Sequence, residues 1–161
     1  MDSGACRESL GALISQELSS LNELAVLLDR EHGLLVANDV EALEKAMQER
    51  QVVIGRLLQM EDERRSLCRM HGRSVDAGGL EQLLAWCDPH GTLKARWAEC
   101  ARGAIRCREL NDTNGALVTA RMKRVESLLG VLTGQPNQPP TYGPKGACSL
   151  PRSGRVLATE A

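Results

Sequence analysis

Two pairs of residues in this chain have the spacing of a metal site. Cys68-x-x-His71 and Cys87-x-x-His90 each set a thiol and an imidazole three positions apart, with fifteen residues between His71 and Cys87. Four such ligands could hold Zn²⁺ tetrahedrally, and each pair falls where a helix is expected to end or begin, so the two could meet. Metal fingers usually keep their ligands in tight turns, whereas Cys87 and His90 straddle a helix boundary. The plainer alternative is two small thiols packed inward and two exposed imidazoles. Cys100 and Cys107 lie on one helix face, about 10 Å apart along the axis. That is too far for a disulfide, and they read as small core residues.

No other arrangement of chemical side chains stands out. The chain contains no GxSxG, GxGxxG or GxxxxGK[ST] segment, and no Glu three residues before a His. The nucleophile elbow, the phosphate-cradling loops and the di-iron bundle motif are therefore missing. Enzymatic activity and a cofactor are not expected. The arginines at 64, 65, 69 and 73 are interleaved with Glu61, Asp62 and Glu63, which reads as a solvated face and not as a nucleic-acid surface. Twenty basic residues balance 21 acidic ones, for a formal charge of −1, so a general nucleic-acid binder is not expected either.

The elements that carry these residues follow from composition. Of the 161 residues 42% are hydrophobic, yet only 2% are aromatic: Trp86, Trp97 and Tyr142, with no Phe. A sandwich or barrel needs many aromatic and β-branched residues, while Leu, Ala, Glu, Arg and Gln favour helix. The expected fold is all-α, a long antiparallel helical hairpin or bundle with coiled-coil-like packing. No apolar run is long enough to span a bilayer, and Met1 to Glu8 lacks the basic start and apolar stretch of a signal peptide. A cytoplasmic protein with free thiols and no membrane insertion is the expectation.

Helix by helix, the pattern predicts spans at about 4–37, 39–71, 79–87 and 89–133. Ile14, Leu21, Leu28 and Leu35 recur every seven residues, with Leu10, Leu13, Leu24, Leu27 and Leu34 widening the stripe. Asn38 with Glu41 three residues on reads as a capping box opening the second helix, and so short a join predicts an antiparallel hairpin. The second helix shows a seam of Val40, Leu43, Met47, Ile54, Leu57 and Cys68. Asp88-Pro89 suits the start of the last helix. There Trp97, Ala104, Val118, Val125 and Leu132 share one heptad phase, and Leu93, Cys100, Cys107 and Leu128 the next. Residues 111 to 115 have poor helix propensity and leave a break open, but resumption of the phase at Val118 favours one continuous helix with Asn111 and Asn114 near its seam. Six acidic and two basic residues between 2 and 37 predict ion pairs from the first helix to Arg96, Arg102, Arg106 and Arg108 on the last. From Gly134 to Ala161 nine of 28 residues are Pro or Gly, which reads as a disordered or loosely docked tail.

The last third carries the most specific signal. Leu110-Asn111-x-x-Asn114-Gly115-x-Leu117, the helix running to Leu132, and Tyr142-Gly143-x-x-Gly146 together resemble the FlgN family of flagellar type III export chaperones. The long Leu-rich first helix, the break near residue 38 and the second helix rich in Glu, Gln and Arg are similar in layout. The resemblance implies a cytosolic protein that binds hook–filament junction (hook-associated) proteins through their terminal helices. It would keep them soluble and unassociated and deliver them to the flagellar export apparatus, without covalent chemistry or a cofactor. The competing readings are a coiled-coil adaptor scaffold and a zinc-stabilised helical module.

On that implied function two sites are expected. Leu117, Val118, Val125, Leu128, Leu129 and Leu132 cover an arc too wide for the other helices to bury entirely, which leaves one side for a client; the alternative is that all six are core. Tyr142 with Gly143 lies in a segment that cannot build a core, and an aromatic there orders at little entropic cost. The resemblance suggests it docks on the export receptor at the membrane; folding back over the bundle is the other possibility.

Overall fold

The computed structural model describes residues 2–134 and contains four helices: α1 (Ser3–Ala37), α2 (Val40–Met70), α3 (Ala77–Cys87) and α4 (Thr92–Thr133). The predicted all-α class and the count of three long helices and one short one hold. The chain falls into two compact units, Met1–Arg121 and Met122–Ala161, with the boundary inside α4. Tyr142, Gly143, Cys148 and the rest of the Pro/Gly-rich segment lie outside the described residues.

Local chemistry sets the helix ends. Asn38 closes α1 in the left-handed conformation (φ 59°), its backbone N–H donating to the carbonyls of Leu34 and Leu35. Asp39 is the residue that opens α2, its carboxylate accepting from the Ala42 N–H at 3.0 Å. The capping-box pattern assigns that role to Asn38, one residue too early. Both residues suit an N-cap, but Asn tolerates a positive φ far better than most side chains, so the order Asn-Asp divides the labour. Helix α3 starts two residues early because Asp76 accepts from the Gly79 N–H at 2.8 Å. A Cβ on Gly79 would lie 1.8 Å from the Ser74 carbonyl oxygen, so only glycine fits there. Helix α4 starts three residues late. Asp88 still supplies the cap, reaching over Pro89–Gly91 to accept from the N–H groups of Leu93 (2.6 Å) and Lys94 (3.2 Å), with the Arg7 guanidinium 3.6 Å from its other oxygen.

Within the first unit α1 is the central element. Its heptad residues Ile14, Leu21, Leu28 and Leu35 are all buried. Helix α2 runs antiparallel to it, as the pairs Glu17–Arg64, Glu23–Arg56, Arg30–Glu49 and Glu31–Arg50 show. The acidic side chains of α1 thus turn mainly to α2. Among the described residues only Asp29 pairs with α4, through Arg106 at 3.7 Å with both groups exposed, and Arg96 instead donates to the Ser15 hydroxyl. The expected pairing with the α4 arginines gives way because arginines 50, 56 and 64 meet the α1 carboxylates in antiparallel register.

Helix α4 runs parallel to α1. Cys100 Sγ donates to the Ile14 carbonyl (3.6 Å), Cys107 Sγ to that of Leu21 (3.3 Å) and Asn114 Nδ2 to that of Leu28 (2.9 Å). Each step is one heptad on both helices, and short side chains at these positions let the helices approach until side chain meets backbone. The buried seam of α4 is accordingly Leu93, Cys100, Cys107 and Asn114, while Trp97 is half-buried and Ala104 exposed. Trp97 is held by the Arg64 guanidinium, 4.5 Å from its ring centroid. On α2 the buried positions are Ala46, Val53, Leu67 and Cys68; Val40 and Met47 of the expected seam are exposed. Helix α3 closes one end, where Leu80, Leu83, Leu84 and Cys87 join Cys6, Leu10, Leu67 and Leu93 in the core cluster.

Candidate functional site

The CxxH residues are placed by that closed end. Cys68 and Cys87 are buried in the cluster beside Cys6. His71 is half-buried, its ring 5.0 Å from that of Trp86, and His90 is exposed. The structure therefore brings the two thiols inward and separates them in environment from His90, and His71 is not the exposed imidazole of the plainer reading. No three His, Cys, Asp or Glu side chains among the described residues form a group that could hold a metal ion.

The described thiols are all buried. Burial pushes the thiols of Cys6 and Cys100 up to about 11, with Cys87 adding to the shift at Cys6 and Glu17 at Cys100. Burial also raises Cys68, Cys87 and Cys107. Since the thiolate is the reactive form, a Cys148→Ser chain should react with a thiol-specific disulfide reagent at pH 8 only on unfolding. The raised thiols also make stability fall as pH climbs from about 9 towards 11, because the unfolded chain ionises first. Rapid labelling of the folded variant at pH 8 would overturn this account.

The other end of the first unit is polar at its centre. Glu31 is buried, and one of its oxygens accepts from Arg50 Nη1 at 3.1 Å. Burial holds its carboxyl above the usual range, with Arg50 pulling the other way. Arg50 also donates to Asn111 Oδ1 at 3.4 Å, and Asn114 Oδ1 lies 3.0 Å from His32 Nδ1. The last contact in this part is Arg121 Nη2 to the Val36 carbonyl at 3.4 Å. A groove of about 270 Å³ lies over this layer, lined by Leu35, Leu43, Met47 and Val118 together with Glu31, Arg50, Asn111, Asn114 and Gly115.

The expected client residues divide between the units. In the first, Leu117 is half-buried and Val118 is exposed. In the second, Val125, Leu128, Leu129 and Leu132 are 55%, 57%, 54% and 81% exposed. Met122, absent from the expected set, is exposed as well. Within the second unit it completes a spacing of three, four, three through 122, 125, 129 and 132, the pattern of a helix seam; the signal was present in the sequence but a methionine is easily passed over among leucines and valines.

Comparison with known proteins bears directly on this helix. The sequence profile of the FlgN protein family matches residues 1–149. The chain belongs to the FlgN family. No curated protein and no solved structure matches it.

In this FlgN-family chain the residues that carried the resemblance have visible structural work. Leu110 packs on the main core cluster, Asn111 accepts from Arg50, and Asn114 ties α4 to the α1 backbone. The motif thus builds the polar layer under the groove, and α4 is helical straight through it. No described helix is long and apolar enough to cross a membrane.

Proposed function

We propose that this FlgN-family chain is a cytoplasmic export chaperone for hook–filament junction proteins, holding their terminal helices and delivering them to the flagellar type III export apparatus. The observation that carries the reading is the exposed seam on the C-terminal part of α4. Monomeric proteins rarely leave a contiguous apolar stripe open unless it binds something, and an amphipathic helix with anchors three and four apart is suited to another helix. The proposed client-binding residues are Leu117 and Val118 in the first unit and Met122, Val125, Leu128, Leu129 and Leu132 in the second. Tyr142 and Gly143 are the proposed docking point for the export receptor at the membrane. The proposed role needs no catalytic residue, cofactor, metal or nucleic acid.

The test has two arms on one purified protein. The native chain should retain the hook–filament junction proteins from a lysate of flagellated cells. Tyr142→Ala should keep client affinity and melting temperature within error yet weaken receptor binding about tenfold, the loss of one aromatic anchor. Failure to retain any junction protein overturns the chaperone reading; normal receptor binding by the variant overturns only the role of Tyr142.

A further inference from the structure

The groove over Glu31 combines features that a simple gap between helices lacks. Its walls are apolar: Leu35, Leu43, Met47 and Val118. Among its lining residues is a carboxylate whose side chain is 4% exposed. One oxygen of that carboxylate is bonded to Arg50; the other, Oε1, is buried without a hydrogen-bond partner, and so is Arg50 Nε. A buried polar group left unpaired is costly, and the layer holds one unused acceptor and one unused donor. Gly115 lies on the lip, and a Cβ there would meet nothing within 4 Å.

These features select an occupant. Apolar walls call for an apolar side chain. A further charge of either sign would unbalance the Glu31–Arg50 pair in a poorly solvated place. A carboxamide is neutral and offers both the N–H donor that Glu31 lacks and the oxygen acceptor that Arg50 lacks.

We propose that this groove, between α2 and α4 of the first unit, receives an apolar residue and a neighbouring Asn or Gln from the client's amphipathic helix, and so selects among client helices. Helix α2, through Leu43 and Met47, is then part of the client site. This rests on the chaperone reading, and the test separates the two.

Calorimetric titration of the full chain with a purified hook–filament junction protein is the measurement. Gly115→Met should obstruct the groove without a clash while improving helix propensity, and Met47→Glu should place a charge on its wall. Each is expected to weaken binding tenfold or more with the melting temperature kept, whereas Val52→Glu on exposed α2 surface should not. Alanine replacement of each Asn and Gln in the client helix should find one whose loss weakens binding at least fivefold to the native chain and less than twofold to a Glu31→Met chain. Native affinity in both groove variants, while the Val125/Leu129 variant has lost binding, overturns the groove and leaves the chaperone reading intact. Absence of any carboxamide coupled to Glu31, the result if only water fills the layer, overturns the proposed occupant. A native chain that binds no junction protein removes both.

Discussion

Replacing Val125 and Leu129 together with glutamate is expected to abolish client binding, by a hundredfold or more, while the melting temperature stays within about 2 °C of the native value. Both side chains are more than half exposed, so their packing contributes little to the fold, and surface changes of this kind usually fall within about 0.5 kcal/mol. Glutamate has about the helix propensity of leucine and a better one than valine. In a complex the same two side chains would become buried, each worth about 1.5–3 kcal/mol, and two carboxylates in an apolar seam add a desolvation penalty. A loss of 2.8 kcal/mol is already about a hundredfold in affinity. The experiment is a titration of the folded variant with a junction protein, beside a thermal melt. A variant that stays folded and binds normally places the client site elsewhere.

The second large effect is on stability. Arg50→Ala should destabilise the first unit by about 3 kcal/mol near pH 7.5, because it leaves the Glu31 carboxylate buried without its counter-ion. That corresponds to a drop in melting temperature of roughly 10 °C for a domain of this size. The deficit depends on pH in a definite direction. Burial already raises the Glu31 pKa and Arg50 opposes the rise, so removing Arg50 lifts it further. A group whose folded pKa is raised favours the folded state while protonated in both states, and that contribution is lost as pH climbs through the folded value. The gap between native and variant should therefore be small near pH 4.5 and widen steadily towards pH 7.5. Replacing Glu31 and Arg50 together with leucine should recover most of the loss, since an apolar pair leaves no charge behind. A gap constant over that range would show that lost packing, and not a stranded carboxylate, is responsible.

Much of the architecture follows from local chemistry and was legible in residue order alone. The α1 stripe at 14, 21, 28 and 35 is buried as its period requires, because a seven-residue repeat on a helix makes one face apolar whatever lies opposite. Asp88 caps α4 because a carboxylate satisfies orphan N–H groups even five and six residues downstream. The short Leu110-to-Leu117 motif was specific enough to indicate the family that the profile match establishes.

Partner, register and exposure were not legible, because an apolar stripe specifies a face and not what covers it. The α2 stripe of Val40, Leu43, Met47 and Ile54 is as regular as that of α1, yet Ala46 and Val53 take the buried places and Val40 and Met47 stay open. The choice was made by the antiparallel register in which arginines 50, 56 and 64 meet Glu31, Glu23 and Glu17. A residue at each of two distant positions is needed for such a pair, and neither alone signals it. The one-heptad ladder of Cys100, Cys107 and Asn114 on the α1 backbone is likewise a product of close approach. Sequence determined that this chain is helical, where its helices cap and which of their faces are apolar. Tertiary structure decided which of those faces closed and which remained open, because burial belongs to a pair of surfaces and a sequence describes them one at a time.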